Sequence, residues 1–574
     1  MIWWLENPAR ARSERQSVAE LAERVNWLRG VRWYLSNGAA LAVDFEIEHD
    51  GQSVPLTTTY AEFHPNAPPI VVPRDGSRLS SHQYGAGGNL CLEYRADNWE
   101  TTITGAMMIE SAYRLLAGER DIDGPELPSA HAVSLGQSVR GSYFRFLLTP
   151  PLEERLKAIE PGQSVEIGVA EKYHAETFTV TIADIDGTAD MRAWPLGVRE
   201  TTKRGHAIRL PTGTPMPPAT QDGITSLLGD LGFATIREQA LATTGEMDLV
   251  LVSGADIAHF YAYNGNQKRY FGRSRILKVG TGSRLPDDYS GLAGKSVGIV
   301  GCGSLGSKVA AMLARSGLRQ FTLVDDDVLF SANIVRNELG APAIGVHKVD
   351  GLRARLIDIA GTIDVTVRRV ALGGQESADS TDAVMSALRA CDVIIDATAD
   401  AHCFNFCAAV AKESLKPLVW GEVFAGGIGG LVARVRSGHE PEPQIARNQI
   451  NAWCDAHGIP APLAGFAAPY ATAAGEGTPL VADDAEVAII AGHLTRLATD
   501  ILIRPNDSAF PVPAYAIGLR RAWIFSEPFE TWPIQLTGSE PWKVEQDSAS
   551  VAESLALLRE LLPSAFDDHD QSSK

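Results

Sequence analysis

The sequence predicts an α/β protein built around a Rossmann-like domain, a parallel sheet with helices on both faces. An N-terminal α+β domain and a β-rich linker domain precede it. Three observations carry this. From Lys295 the chain runs KSVGIVG, SKVAAMLARSG, QFTLVDDD, a strand–helix–strand rhythm that needs parallel strands with crossover helices. The first block opens on the helical SVAELAERVNWLRG, continues in alternating runs such as LAVDFEIEHD, and closes on the helical GAMMIESAYRLLAG. Between them lie short β-like runs, SVEIGVAEKYH and TFTVTIADI, and the Pro-rich LPTGTPMPPATQDG. The expected boundaries are 1–125, 130–289 and 290–545, with a tail at 546–574; DIDGPELPS is the first connector. The middle block shows no catalytic signature, and no internal repeats occur.

Composition narrows the function classes. A chain of 574 residues suggests two to four domains, and 45% hydrophobic with 21% charged residues describes an ordinary folded protein. Its 51 basic and 70 acidic residues, net −19, argue against nucleic acid, whose phosphates need clustered Lys and Arg. A nucleotide is still allowed, because backbone amides and one or two cations can hold it. Six cysteines without disulfide-framework spacing fit a reducing compartment. The apolar start MIWWL is too short for a signal-peptide core, and no run reaches the roughly 18 apolar residues that span a membrane. A cytoplasmic protein, engaging neither membrane nor nucleic acid, is expected.

The run VGIVGCGSLGSKVAAMLARSG is an apolar strand, then Gly301-x-Gly303-x-x-Gly306, then an amphipathic helix. Such glycines make a tight turn, let the backbone approach phosphate and pack helix against strand. Alone, the motif favours NAD or FAD. The next strand ends in Asp325, Asp326 and Asp327, where a ribose hydroxyl would be read; at least one of the three is expected merely to cap the following turn. Asn333, Arg336 and Lys348 follow, an amide and two cations. A hydride-transfer enzyme has no need of them there, whereas charge building on an α-phosphate does. The strand DVIIDATAD brings Asp396 and Asp400 to the carboxyl edge, where Mg²⁺ could be held.

These motifs resemble the adenylation domain of ubiquitin-activating enzymes, which also serves activators of bacterial sulfur-carrier proteins. The resemblance is tight over about 110 residues and looser through Leu536. It implies ATP as the nucleotide, Gly301, Gly303 and Gly306 at its phosphates, and Asp325 and Asp327 toward ribose. Asn333, Arg336 and Lys348 would contact phosphate, and the two cations would act catalytically. The family often reads Asp-Cys-Thr-Asp; here Ala399 intervenes before Asp400, the residue assigned to Mg²⁺. The paired Cys-x-x-Cys zinc motifs of many sulfur-carrier activators are absent. A sulfur-carrier-protein adenylyltransferase and an NAD-dependent oxidoreductase are the alternatives.

Cys91 follows a glycine-bearing loop in HQYGAGGNLCLEYRADNW. By itself such a cysteine reads as a small buried hydrophobe. Three elements in register, His64-Pro-x-x-Pro-Pro, Cys91-Leu and Trp99 eight residues later, resemble the core of ubiquitin-conjugating enzymes over roughly 60 residues. Cys91 is then the acyl-accepting thiol, and His64-Pro65-Asn66 is structural. Gln83 stands where that family has its oxyanion-stabilising Asn, so Gln83 or His82 is the expected helper. If Cys91 is only structural, the first block is a substrate-docking module.

Of the other cysteines, Cys391 opens a buried strand, and Cys403 and Cys407 share one helical face. Cys454, in the polar NQINAWCDAHGIP with Asp455 and His457 to tune it, is the expected activating cysteine. The small-residue run GFAAPYATAAGEGTP is similar to a flexible crossover loop. The domain order resembles conjugating–activating fusions of bacterial anti-phage (CBASS) operons. That implies ATP-dependent activation of a protein's C-terminal carboxylate, with a CD-NTase cyclic-nucleotide synthase as cargo and a thioester passed through Cys91 to an amine. It further implies a JAB-type deconjugating protease in the operon, and a homodimer.

Overall fold

A computed structural model describes residues 2–36, 38–80, 82–84, 88–118, 139–140, 144–174, 177–189, 203–242, 245–265, 268–279, 284–458, 482–542 and 548–562. The connector DIDGPELPS, the loop residues Gly85–Gly87 and the GFAAPYATAAGEGTP run lie outside them. The chain divides into two compact units, Met1–Ser142 and Tyr143–Lys574.

In the first unit, β1 (Leu28–Leu35), β2 (Leu41–His49), β3 (Gln52–Thr59) and β4 (Ile70–Pro73) form an antiparallel meander in sequence order. Phe45, Ile47 and Leu56 of β2 and β3 are fully buried. They pack with Val18 and Leu21 of helix α1 (Pro8–Arg24) and Ile109 and Ala112 of helix α2 (Gly105–Gly118). The α1 stripe is tied in by a buried carboxylate. Glu14 accepts from the Gly105 N–H at 2.6 Å and the Tyr60 hydroxyl at 3.2 Å, and its other oxygen lies 3.3 Å from His64 Nε2. His64 packs edge-on against Trp3 and Tyr60, and the Trp99 indole donates to the Pro65 carbonyl at 2.7 Å. A two-rung hairpin, β5 (Gln83–Tyr84) and β6 (Asn89–Leu90), leads into Cys91.

The second unit holds two sheets. A nine-stranded sheet runs from Phe144–Leu148 to Arg275–Lys278, its interior filled by residues such as Phe146, Val169, Val250 and Val252. The curvature brings its ends together, so that Phe144 stacks on Tyr261 at 4.0 Å. Within it His259 bridges Asp248 (3.0 Å) and Ser274 (2.8 Å), all three buried. The row matches a nucleophile relay in residue type, but its hydroxyl is sealed inside, and it serves as satisfied core polarity.

The other sheet contains β7 (Ser296–Val300), β8 (Gln320–Val324), β9 (Asp364–Arg368), β10 (Val393–Asp396), β11 (Leu418–Val423), β12 (Gly429–Val435), β13 (Ala514–Gly518) and β14 (Thr531–Ile534). Their order is β9-β8-β7-β10-β11-β12-β13-β14, the first five parallel and the last three joining antiparallel. Helices cover both faces, as the strand–helix rhythm predicts. On one, α3 (Ser304–Arg315), α4 (Lys348–Ala360) and α8 (Asp484–Ile503) bury Val297, Ile299 and Leu323. On the other, α5 (Ala378–Arg389), α6 (Ala401–Ser414) and α7 (Pro443–Ala456) bury Val300, Val324 and Ile394. Among the described residues no helix is long and apolar enough to cross a membrane.

Candidate functional site

Strand register assembles the site. Val300 pairs with Val324 on one side and Asp396 on the other, so three chain segments leave the carboxyl edge side by side. They are the glycine loop, Asp325–Asp327, and Ala397–Asp400. Together they line a cavity of about 590 Å³, within the range of a nucleotide-sized site.

Each glycine of the loop has its own reason. Gly301 adopts φ +87°, and a Cβ there would stand 2.8 Å from the Thr398 methyl. Gly303 has open space where a Cβ would be and caps α3 with no side-chain cap. The unpaired N–H groups of the first turn, with the positive end of the helix, therefore face the cavity. Gly306 lies inside α3, where a Cβ would fall 1.8 Å from the Gly301 carbonyl oxygen. Gly306→Val is accordingly expected to abolish nucleotide binding in equilibrium dialysis with ATP; binding within threefold of wild type would refute the packing argument.

The acidic cluster divides its labour. Asp325 accepts from Cys302 N (2.7 Å) and Asp327 N (2.8 Å), fastening the phosphate loop to the end of β8; burial raises its pKa. It is the turn-capping member of the three. Asp327 is exposed toward the cavity and pairs with the Lys348 ammonium at the start of α4. Asn333 spends its carbonyl oxygen on the Phe330 N–H at 2.9 Å, leaving its NH₂ as the donating end. Arg336 lines the same wall. Asp400 caps α6, accepting from His402 N (2.8 Å) and Cys403 N (2.9 Å). Burial opposes its ionisation, but those two N–H groups outweigh it and hold the carboxyl below its usual range. One ionised carboxylate on the cavity wall fits Mg²⁺ carried in with ATP phosphates, which supply most of its ligands.

Sequence reasoning missed the far wall. Glu422 and Phe424 face the cavity from the end of β11. Burial pushes both Glu422 and Asp396 up to about 6, the latter despite accepting from the Thr398 hydroxyl. The signal was available: the carboxyl ends of parallel strands line such crevices, and WGEVF ends one. Asn337 was also missed. It links the loop to its neighbourhood, donating to Cys302 O at 3.5 Å and accepting from Leu339 N at 3.0 Å.

Two expectations are corrected. Cys454 is not in an exposed stretch: it sits on the buried face of α7, 7% accessible, among Phe404, Leu431 and Trp542. Burial, with Glu422 and Asp455 nearby, raises its thiol to about 11, so Asp455 disfavours the thiolate. His457 turns instead to Trp453, stacking at 4.2 Å. Gln83 is not an oxyanion donor. It is buried, with its Nε2 donating to Ser77 O (3.2 Å) and Gly88 O (3.0 Å) while its oxygen accepts from Leu79 and Ser80. The motif spacing could not reveal an amide already consumed in holding its own loop.

The hairpin shows what stands beside Cys91 instead. Gln83 pairs with Leu90 and Tyr84 with Asn89, and Cys91 N donates to His82 O at 2.7 Å, extending the ladder. Alternation puts Gln83 and Leu90 inward, both 4% accessible. Cys91, Asn89, His82 and Tyr84 then share the outer face, and all four are half-buried or exposed. Among the described residues no side-chain hydrogen bond engages the Asn89 carboxamide.

A parallel sheet whose carboxyl edge joins a helix-end anion site to two cations and a carboxylate defines a nucleotide-dependent adenylation-type domain. Residues 284–489 match the ThiF family model, which makes that segment a ThiF family domain. The chain is 26% identical over 375 residues to the uncharacterised protein y4qC of Sinorhizobium fredii, covering 59% of this chain and 63% of that one. It is 33% identical over 113 residues to the ATP-dependent ubiquitin transferase-like protein Cap2 of Pseudomonas aeruginosa, 19% of each. It spans less than two thirds of the length of the curated relatives it matches. Among solved structures, Escherichia coli MccB with AMPCPP and MccA matches 44% of this chain and 66% of its own. The identity is 13% and the TM-score 0.33.

Proposed function

We propose that the protein uses ATP to adenylate the C-terminal carboxylate of another protein and then carries the acyl group as a thioester on Cys91 to an amine. The observation that carries this is the convergence of Gly303, Asn333, Arg336, Lys348 and Asp400 on one cavity. A carboxylate oxygen attacking the α-phosphorus displaces pyrophosphate, and both the transition state and the leaving group gain negative charge. The α3 amides, the Asn333 NH₂ and the two cations would meet that charge. Asp400 would hold Mg²⁺, whose charge would be shared with the leaving phosphates.

Adenylation turns a carboxylate oxygen into a good leaving group, AMP, which a thiolate can displace. In the N-terminal unit, Cys91 is the acceptor thiol. His82, opposite it in the ladder, and Asn89, two residues before it, share its face of the ladder, and the Asn89 carboxamide is the donor we assign to the tetrahedral oxyanion. The name of the Cap2 relative supports an ATP-dependent, ubiquitin-transferase-like reaction. The resemblance of the domain order to conjugating–activating fusions of anti-phage operons extends the proposal to a CD-NTase cyclic-nucleotide synthase as cargo, a JAB-type protease as the reversing enzyme, and a homodimer.

The test is a non-reducing gel after incubation with ATP, Mg²⁺ and a candidate carrier. A dithiothreitol-sensitive adduct is expected on the wild type and none on Cys91→Ala, with ATP–pyrophosphate exchange retained in both. Exchange on the wild type without any adduct would remove the conjugating half of the proposal; absence of exchange would remove all of it.

A further inference from the structure

All six cysteines of the sequence fall among the described residues: four are buried, and Cys91 and Cys403 are half-buried. Cys302 is fully buried in the phosphate loop, and burial, reinforced by Asp325, drives its thiol well above the usual value. Cys407 is likewise fully buried and strongly raised. Cys391 is buried, donates to the Ala387 carbonyl at 3.4 Å, and is raised by burial. Cys403 lines the nucleotide cavity, but its Sγ donates to the Leu372 carbonyl at 2.6 Å. Cys454 is shut into the α7 core. Thiolate, not thiol, attacks an acyl group, and buried cysteines beside carboxylates are the least able to supply it. Only Cys91 stands on a solvent-facing ladder face with polar side chains around it.

We propose that this chain conjugates through a single thiol, with Cys91 attacking the acyl adenylate directly and no activating-cysteine thioester preceding it. The inference rests on the function proposed above and names the route that function takes. In the step, a Cys91 Sγ–acyl carbon bond forms as the acyl carbon–oxygen bond to phosphate breaks. AMP leaves with the electron pair, and the thiol proton passes to solvent. One transthiolation disappears from the scheme, together with the need for a second reactive cysteine. The carboxamide of Asn89 is placed on the same face as the thiol to meet the oxyanion of that step.

An electrophilic stand-in for the adenylate tests this on the full-length protein. The probe is a fluorescein-labelled Gly-Gly vinylsulfonamide of 5′-amino-5′-deoxyadenosine, in which the vinyl carbon takes the place of the acyl carbon. Peptide mass mapping should find the label on Cys91 alone, suppressed by excess ATP. Labelling should fall at least tenfold in Cys91→Ala and stay within twofold in Cys454→Ala. Asn89→Asp, which keeps size but removes the N–H donors, should slow formation of the ATP-dependent, dithiothreitol-sensitive Cys91 adduct with a carrier by about tenfold; an unchanged rate would remove Asn89 from the step. Label on Cys454 or Cys403 overturns the single-thiol route while leaving adenylation and conjugation intact. ATP-competable binding of the probe with no label on any cysteine overturns direct capture. Failure of ATP to compete, with no exchange activity, overturns the proposed function itself.

Discussion

Lys348→Ala is expected to lower ATP–pyrophosphate exchange by about 10²–10³-fold, the usual loss when one preorganised charge-stabilising donor is removed. Its ammonium is fixed rather than free-swinging. It begins α4, its backbone N–H donates to Asp327 O at 2.9 Å, and its Nζ pairs with the Asp327 carboxylate. Deleting it removes a cation and also leaves Asp327 unneutralised on the wall that must receive phosphates, so both ATP affinity and turnover fall. Lys348→Arg is not a rescue, because a planar fork cannot replace a compact ammonium paired with the Asp327 carboxylate. Exchange kinetics, with a melting curve to confirm folding, decide it. An alanine variant within threefold of wild type would mean Lys348 serves α4 rather than chemistry.

The largest stability effect should come from Asp500→Ala, expected to cost about 3–5 kcal/mol because it takes the closer of two carboxylates, the other being Glu440 at 3.7 Å, from a buried guanidinium. Arg434 on β12 is 2% accessible, and it donates to Asp500 Oδ2 at 3.1 Å, the Ser508 hydroxyl and Phe510 O at 2.9 Å. Asp500 meanwhile accepts from Ala509 N at 3.1 Å and Arg504 at 3.3 Å. The pair therefore ties the antiparallel half of the sheet to α8 and to the loop after it. At roughly 2–4 °C per kcal/mol for a domain of this size, the calorimetric midpoint should fall by about 6–20 °C. Replacing both partners, Arg434→Met with Asp500→Leu, should recover most of the loss, since apolar substitutes carry no desolvation cost. A single variant within 1 kcal/mol of wild type would show that water reaches the pair.

Legibility followed the range of the interactions. Period and glycine spacing are local, and they revealed the β7–α3 unit, the acidic strand end and the residues that meet in the cavity. The antiparallel addition of β12, β13 and β14 was not visible, because the partner of β12 on its free side lies nearly eighty residues further on. Alternation in QYGAGGNLC was equally present in the sequence but too short to read before pairing was known. That is why Gln83 looked catalytic and Asn89 went unnoticed. Cys454 failed for a different reason. A polar neighbourhood along the chain was taken for exposure, while helical periodicity in PQIARNQINAWCDA puts Cys454 on the same stripe as Ile450 and Ala446.

Helix α8 also bears on how the chain is made. It supplies Val487, Ile490, Leu494, Leu497 and Ile501 to one face of the sheet, each contributing about 1.5–3 kcal/mol when buried. The strands it covers, β11 and β12, leave the ribosome well before it does. A growing chain therefore carries a nearly finished nucleotide pocket on a half-naked sheet, with apolar surface open to misassociation. Cutting the gene before Asp484 would not liberate a minimal enzyme but freeze that vulnerable stage, whereas adding nucleotide during synthesis would favour completion by binding only the closed form.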